Sequence, residues 1–329
     1  MKAIACKRYG PPEVLEFIEL PKPIPADDEI LIRVRATTVS SGDWRVRSLT
    51  LPRGFGPLGR LALGMRGPRQ PILGTEFAGD VESVGRAVTS FKVADAVFAF
   101  PGGRMGAYAE YMCMRADRPV AKKPSNLSYE QAAALSFGAA TMLDFFRRGE
   151  LRSGERVLVN GAAGAVGTAA IQLAKHAGAH VTAVCSGAKF ELVRSIGADA
   201  VVDYRVDDFS RSGKRYDVIV DAAGTAPFSR SRACLSNGGR LLLVLADLPS
   251  LLLAPWHTLT SDMRVVAGPA EERPAYLHQI AELVEAGRFM PVIDRAFPFE
   301  AMAAAHRYVD QGRKSGNVVV TLGAATGAL

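Results

Sequence analysis

Apolar and polar positions follow two different rhythms along this chain. Up to about residue 125 the apolar residues fall in short β-rich runs, Glu29 to Val34 and Val93 to Phe98 among them, set between proline and glycine clusters. That pattern predicts a small twisted β-domain with little helix. Twelve of the nineteen prolines lie before residue 125 and none falls between Pro124 and Pro227, so the architecture changes there. From about Ser153 the texture alternates. The spacing predicts strands over 156–160, 180–185, 200–204, 216–222, 240–245 and 263–267, with helices over 166–177 and 189–196. Such alternation implies right-handed crossovers and a parallel sheet covered on both faces. Helical patterns over 274–286 and 299–311 and a strand over 317–322 close the chain, and the tail 323–329 is expected to fray.

Composition fits folded cores: 329 residues, 48% hydrophobic and 22% charged, suffice for two modest domains or one large one. The net charge of +7 is local. Between Trp44 and Arg69 lie six arginines and no acid or lysine, and the rest of the chain carries +1. A general nucleic-acid binder would spread its charge, so no specific nucleic-acid partner is expected, while an acidic ligand or partner stays open. Cys6, Cys113, Cys185 and Cys234 show no Cys-x-x-Cys spacing, which gives neither a disulfide framework nor a zinc lobe and fits a reducing compartment. The first ten residues lack the apolar stretch of a secretory signal, and the greasiest run, Leu241 to Trp256, is broken by Asp247 and Pro249. The expectation is a cytoplasmic protein without a membrane span.

Directly after the strand Val157-Leu158-Val159-Asn160 comes Gly161-Ala162-Ala163-Gly164-Ala165-Val166-Gly167, which opens a helix. A strand, a tight glycine turn and a helix N-terminus accept a pyrophosphate, because small residues let backbone N–H groups approach and the helix dipole favours negative charge. The spacing is G-x-x-G-x-x-G and not the usual G-x-G-x-x-G. In the usual fingerprint an acid at the end of the second strand holds the ribose hydroxyl of NAD. Here that strand ends Val184-Cys185-Ser186-Gly187, followed by Lys189, and the next ends at Tyr204 and Arg205. Ser186, Lys189 and Tyr204 thus point to NADP(H), with Asp203 close by as a counter-signal. Lys189 reads either as a partner of the 2′-phosphate or as a solvated helix lysine, and Tyr204 either as a neighbour of the adenosine or as core.

With that turn placed, other stretches fall into order: Gly74-Thr75-Glu76-Phe77-Ala78-Gly79-Asp80-Val81 through Val84-Gly85, Lys92 to Val97, Gly197-Ala198-Asp199, Gly238-Gly239-Arg240 and Gly316-Asn317-Val318-Val319. Together they resemble the medium-chain dehydrogenase/reductase superfamily, and among its branches the zinc-independent quinone oxidoreductases. The resemblance covers nearly the whole chain. It implies an α/β fold: a GroES-like β-rich catalytic domain from residues 1–125 and 269–329, with a doubly wound Rossmann domain, residues 126–268, inserted. It implies NADP(H) bound by Thr141, Gly161, Ala163, Gly164, Ala165, Val166, Gly167, Ser186, Lys189, Tyr204, Gly224 and Asn317, and commonly a homodimer. Thr141 either reaches the nicotinamide or bonds back to its own helical turn. Asn317 stands where relatives often carry Lys.

Departures from the family pattern select the chemistry. Zinc alcohol dehydrogenases of the superfamily carry metal ligands where this chain has Ser40, Thr75 and, nearby, Phe137, and their proton-relaying hydroxyl aligns with Gly42. Glu76 alone cannot hold zinc. The expectation is therefore a site without metal, in which hydride from the cofactor reaches an acceptor that is already electron-poor: a quinone or an α,β-unsaturated carbonyl. The enolate-like oxygen left behind needs hydrogen-bond donors. Ser40, Thr75 and Asp43 are the catalytic candidates; Ser40 replaces the amide of the Asn-Pro-x-Asp pattern of quinone reductases, and Asp43 either serves it in proton transfer or caps the next segment. A non-catalytic NADPH-binding sensor, an RNA-binding relative and an alcohol dehydrogenase are the other classes kept. His306 is expected at the surface of the last helix, and the arginine-rich segment reads as a lid, an exposed basic loop or a contact with acidic membranes.

Overall fold

The computed structural model describes residues 1–323, so the tail expected to fray lies, from 324 onward, outside the described residues. The chain forms two compact units, one built from residues 1–51, 56–137 and the chain from Glu272 onward, the other from 52–55 and 138–271. The first unit opens with β1 (Lys2–Cys6) and β2 (Leu15–Glu19), an antiparallel pair. It continues through β3 (Glu29–Thr38), α1 (Ser41–Ser48), α2 (Gly56–Leu63), β4 (Phe77–Val84), β5 (Ala96–Ala99), β6 (Tyr111–Arg115), β7 (Val120–Lys122) and α3 (Tyr129–Ala133). From α4 (Ser136–Arg148) the chain enters the second unit, with β8 (Arg156–Asn160), α5 (Ala165–His176), β9 (His180–Cys185), α6 (Phe190–Ser195), β10 (Ala200–Asp203), β11 (Tyr216–Asp221), α7 (Phe228–Ser231), β12 (Leu235–Leu243), α8 (Leu248–Thr260) and β13 (Arg264–Ala267). Then α9 (Pro274–Glu285), β14 (Ile293–Pro298), α10 (Met302–Asp310) and β15 (Asn317–Thr321) return to the first.

In the first unit a sheet runs β14-β15-β3-β4-β5-β7, with β6 also on β3. The ten-residue β3 takes three partners, β6 along residues 29–33, β15 along residues 36–38 and β4, whose ladder shifts register between Leu31 and Ile32 and between Val34 and Ala36. Ile4, Ile30, Ile32, Phe77, Val97, Tyr108 and Val318 form the middle of its core. Two short helices interrupt what the sequence reads as almost purely β. The first starts because Ser40 and Asp43 cap each other's backbone.

The second unit holds the predicted parallel sheet, in the order β10-β9-β8-β11-β12-β13 with every neighbouring pair parallel. Val157, Leu158 and Val159 of β8 are all buried, as expected for a strand covered on both faces. The chain walks outward from β8 to β10, then returns to start β11 on the other side of β8. Ligands of doubly wound sheets bind at the carboxyl ends of the strands where the order reverses, here beyond Asn160 and Asp221. Strand β12 begins five residues before its predicted start: Leu235 pairs with Tyr216, residues 236–239 loop out around Gly238 (φ +68°), and pairing resumes at Arg240. All four cysteines are free, with Cys113 half-buried and the others buried. Among the described residues no helix is long and apolar enough to cross a membrane.

Candidate active site

The glycine turn is built by steric necessity. Gly161 closes β8 at φ +81°, a conformation that side chains resist, and a Cβ on Gly167 would sit 2.2 Å from the carbonyl oxygen of Gly161. Gly164 is different: a Cβ there would meet only that same oxygen, at 3.6 Å. It is the N-cap of α5, and no side chain caps the helix. Backbone close to backbone, with an open position at 164, fits a pyrophosphate.

A carboxylate that sequence reasoning missed holds the neighbouring loop. Asp221, at the end of β11, is buried and accepts hydrogen bonds from Asn160 Nδ2 (2.9 Å) and from the amides of Ala223 (3.2 Å), Gly224 (2.9 Å), Thr225 (3.3 Å) and Ala226 (2.8 Å). Asn160 Nδ2 also donates to Thr225 Oγ1 at 2.8 Å. One acid thus ties the ends of the two strands at the reversal and fixes Gly224 at φ +72°. The signal in the sequence is faint: a single Asp after an apolar strand.

At the ends of β9 and β10, Asp203 accepts from the Gly187 amide (2.8 Å) and the Arg205 amide (2.9 Å), which shapes the turn carrying Ser186 and Lys189. Tyr204 is 58% exposed and so is not core, and the Arg205 guanidinium lies 5.9 Å from its ring centre. Thr141 is half-buried on α4. These residues, the glycine turn and Gly224 all belong to the second unit, whereas Asn317 belongs to the first, where its side-chain amide donates to the Val292 carbonyl at 3.1 Å.

Ser40, Asp43 and Thr75 form one buried cluster in the first unit. The Asp43 amide donates to Ser40 Oγ (3.1 Å) and the Ser40 amide to Asp43 Oδ2 (2.8 Å), closing a capping box. Thr75 Oγ1 lies 3.0 Å from Ser40 Oγ and 3.3 Å from Asp43 Oδ2, and the Gly74 amide donates to Asp43 Oδ1 at 3.0 Å. Asp43 therefore caps the helix, and the same carboxylate also meets Thr75 and the Gly74 amide. Burial pushes its carboxyl up to about 6, and the hydrogen bonds from Ser40, Gly74 and Thr75 hold it from rising further. A Cβ on Gly42 would stand 3.3 Å from Ser40 Oγ and 3.7 Å from Thr75 Cγ2, so the missing side chain leaves space beside both hydroxyls.

Three groups lie behind the cluster: Glu76, weighed from the sequence only as a zinc ligand, His306, expected at the surface, and Tyr108, which the sequence did not single out. Glu76 is fully buried, its carboxylate accepting from Thr38 Oγ1 (2.7 Å) and the Phe137 amide (2.6 Å), and burial raises its pKa to about 7. Tyr108, also buried, bonds the Thr38 carbonyl (3.2 Å) and His306 Nε2 (3.1 Å). The expected surface position of His306 is wrong: it is 0% exposed, because α10 turns Met302, Ala305, His306 and Val309 to the core. Burial and the nearby Arg47 charge lower its pKa to about 3, so the imidazole is neutral.

Zinc, which the wider family carries, does not fit these residues. Ser40 and Thr75 offer hydroxyls bonded to each other, both Glu76 oxygens are taken by protein donors, and no three His, Cys, Asp or Glu side chains among the described residues are grouped to hold a metal.

A glycine turn at the reversal of a parallel sheet is the arrangement of a Rossmann-type dinucleotide-binding domain, and the same chain builds a β-rich unit with a buried hydroxyl–carboxylate cluster. Comparison with known proteins narrows this. Residues 26–125 match the alcohol dehydrogenase GroES-like domain, and residues 196–320 match a family described as zinc-binding dehydrogenase. The chain is 31% identical to a chloroplastic quinone-oxidoreductase homolog of Spinacia oleracea, over 97% of this chain and 98% of that protein. Among solved structures, the quinone oxidoreductase of Coxiella burnetii superposes with a TM-score of 0.85 at 27% identity, covering 98% of this chain and 99% of that one. An NAD-dependent alcohol dehydrogenase superposes with a TM-score of 0.82 at 28% identity, covering 98% and 100%. The chain belongs to the medium-chain dehydrogenase/reductase superfamily, in its quinone oxidoreductase-like branch. Oxidoreductases of this family bind NAD(P)H through the Rossmann domain.

Proposed function

We propose that this protein is an NADPH-dependent reductase of quinones or α,β-unsaturated carbonyls that works without zinc. The observation that carries the reading is the Ser40–Asp43–Thr75 cluster: paired hydroxyls backed by a buried carboxyl, at the positions where zinc dehydrogenases of the superfamily carry metal ligands. Bound NADPH supplies hydride, and an acceptor that is not polarised by a metal must already be electron-poor. Ser40 and Thr75 donate to the oxygen that gains charge. Asp43, with its carboxyl held near 6, returns a proton to those hydroxyls through Thr75 Oγ1.

The preference for NADPH rests on the turn after β9, which has no acid at the strand end and carries Ser186 and Lys189, with exposed Tyr204 and Arg205 following β10. The cofactor residues are Thr141, Gly161, Ala163, Gly164, Ala165, Val166, Gly167, Ser186, Lys189, Tyr204, Gly224 and Asn317. A homodimer belongs to the same reading. Helix α8 turns Leu252, Trp256 and Leu259 to solvent, and it packs on β13, the edge strand of its sheet.

Consumption of reduced cofactor tests all of this, comparing NADPH with NADH against quinones, enones and simple ketones, with and without chelator. Chelator-insensitive NADPH consumption with the conjugated acceptors, and Lys189→Ala weakening NADPH more than NADH, are expected. Turnover of alcohols or ketones that a chelator abolishes overturns the reaction class. NADPH binding without turnover turns the reading to a sensor.

A further inference from the structure

The arginine-rich segment is ordered in an unusual way. Its apolar residues face solvent although the segment is firmly seated. Gly59 backs directly onto Leu51, where a Cβ would fall 1.9 Å from Leu51 Cδ1, and Gly67 lies so close to the Lys7 carbonyl that a Cβ would fall 2.1 Å from it. Tyr9 Oη donates to the Gly64 carbonyl at 2.8 Å, and Leu63 packs on the core of the first unit. On the outer side, Leu58, Leu61 and Met65 are 51%, 65% and 66% exposed. A seated segment that presents three large aliphatic side chains to water is holding a surface for something else.

Among the described residues no ion pair neutralises Arg60, Arg66 or Arg69 beside that ridge. Arg60 donates to the Met65 carbonyl (3.0 Å) and Arg69 to the Leu61 carbonyl (2.9 Å), so their bonds fix the segment's shape and leave their charge in place. Arg66 is exposed as well, and the sequence has no acid between Asp43 and Glu76. Phe55 and Trp44 are the only aromatics from Trp44 to Arg69, which gives nucleic-acid bases little to stack on. Aliphatic side chains flanked by guanidinium groups match the boundary between anionic headgroups and acyl chains, where the apolar tips enter and the charges stay with the phosphates.

We propose that the outer face of α2 and the turn after it dock the protein reversibly on an anionic lipid surface. Three side chains make a shallow anchor, so the contact depends on charge as well as on insertion. The inference stands apart from the reaction proposed above.

Sedimentation of the full chain with sucrose-loaded vesicles tests it, using phosphatidylcholine alone against phosphatidylcholine with about one-third phosphatidylserine. Binding is expected to the anionic vesicles only, falling about tenfold or more when ionic strength is raised to about 0.5 M. The triple variant Leu58→Ser, Leu61→Ser, Met65→Ser and the variant Arg66→Glu, which reverses a charge and spares the bonds of Arg60 and Arg69, are each expected to lose at least about tenfold in binding, at unchanged melting temperature. No binding to anionic vesicles overturns the proposal, as does equal binding by both variants and wild type. A change of oligomeric state in the leucine variant, without a change in vesicle binding, also overturns it and assigns the face to a second copy of this chain.

Discussion

The Tyr108 hydroxyl lies 3.1 Å from Nε2 of His306, joining two fully buried residues 198 positions apart in the chain. The other ring nitrogen, Nδ1, has no partner among the described residues, and the same hydroxyl bonds the Thr38 carbonyl. Protonation at Nε2 satisfies the pair: His306 donates to Tyr108, which donates to Thr38. The strand carrying Thr38 runs directly to Ser40, so this bond ties α10 to the backbone that positions the catalytic candidates.

Removing one oxygen should be costly here. Tyr108→Phe leaves His306 Nε2 buried without this partner and removes one bond to the Thr38 carbonyl, and a stability loss of about 1–3 kcal/mol is expected in urea unfolding. A loss below about 0.5 kcal/mol means that the two groups find other partners.

The glycine turn predicts two different defects from two glycines three residues apart. Gly167→Ala forces a methyl group into the Gly161 carbonyl and is expected to lower stability whether or not cofactor is present. Gly164→Val meets only an ordinary contact at 3.6 Å, so it should cost less stability than Gly167→Ala while weakening NADPH binding at least about tenfold, because the side chain takes the volume of the phosphates. Equal binding by Gly164→Val and wild type removes the turn from the cofactor site.

What the sequence made legible follows the range of the interactions. The strand, the turn Gly161 to Gly167 and the helix after it are a local pattern, and so is the reciprocal cap of Ser40 and Asp43. Thr75 could be placed by motif, but its contact with Ser40 spans 35 residues and appears only when β3 and β4 pair. His306 was readable in principle, since Met302, Ala305 and Val309 share its helix face at core spacing, yet a histidine there looks like any surface polar residue until Tyr108 supplies its partner. Glu76 and Asp221 defeat composition-based reasoning altogether. Each is a buried acid that accepts from a distant side chain, Thr38 or Asn160, and from backbone amides, and such amides carry no sequence signature.

Asp221 gives a sharper test of the second unit. Its two oxygens serve five donors, four of them backbone amides of residues 223–226. In Asp221→Asn one oxygen becomes an NH₂ facing donors, so the Ala226 side or the Gly224 side of the loop must let go. A loss of about 1–3 kcal/mol in stability is expected. The KM for reduced cofactor should rise more than kcat falls, since the loop carrying Gly224 moves while Ser40 and Thr75 are untouched. A fall in kcat with KM unchanged assigns the loop to the chemistry and not to cofactor binding.

Glu76 links stability to pH with a definite sign. Burial raises its folded pKa to about 7 from an ordinary value of 4.5, aided by the Asp43 charge and opposed by the bonds from Phe137 and Thr38. The folded protein therefore binds a proton that the unfolded chain has released, and stability from this group is full below about pH 4.5 and lost as pH rises through about 7. Asp43 acts in the same direction with its carboxyl near 6, while the buried Lys314, lowered to about 8 and facing Glu76 and Asp294, changes stability only above that pH. Glu76→Gln cannot ionise. It is expected to be less stable than wild type at about pH 5, because its NH₂ brings two hydrogens to a buried site where the protonated carboxyl brings one. Between about pH 5 and about pH 8 the deficit should shrink by on the order of 2–3 kcal/mol, as wild type alone pays for a buried charge. Urea unfolding of both proteins at the two pH values measures the gap directly. A deficit that stays constant or widens with pH means that Glu76 is ionised in the folded state throughout, with the nearby Lys314 ammonium as its counter-charge.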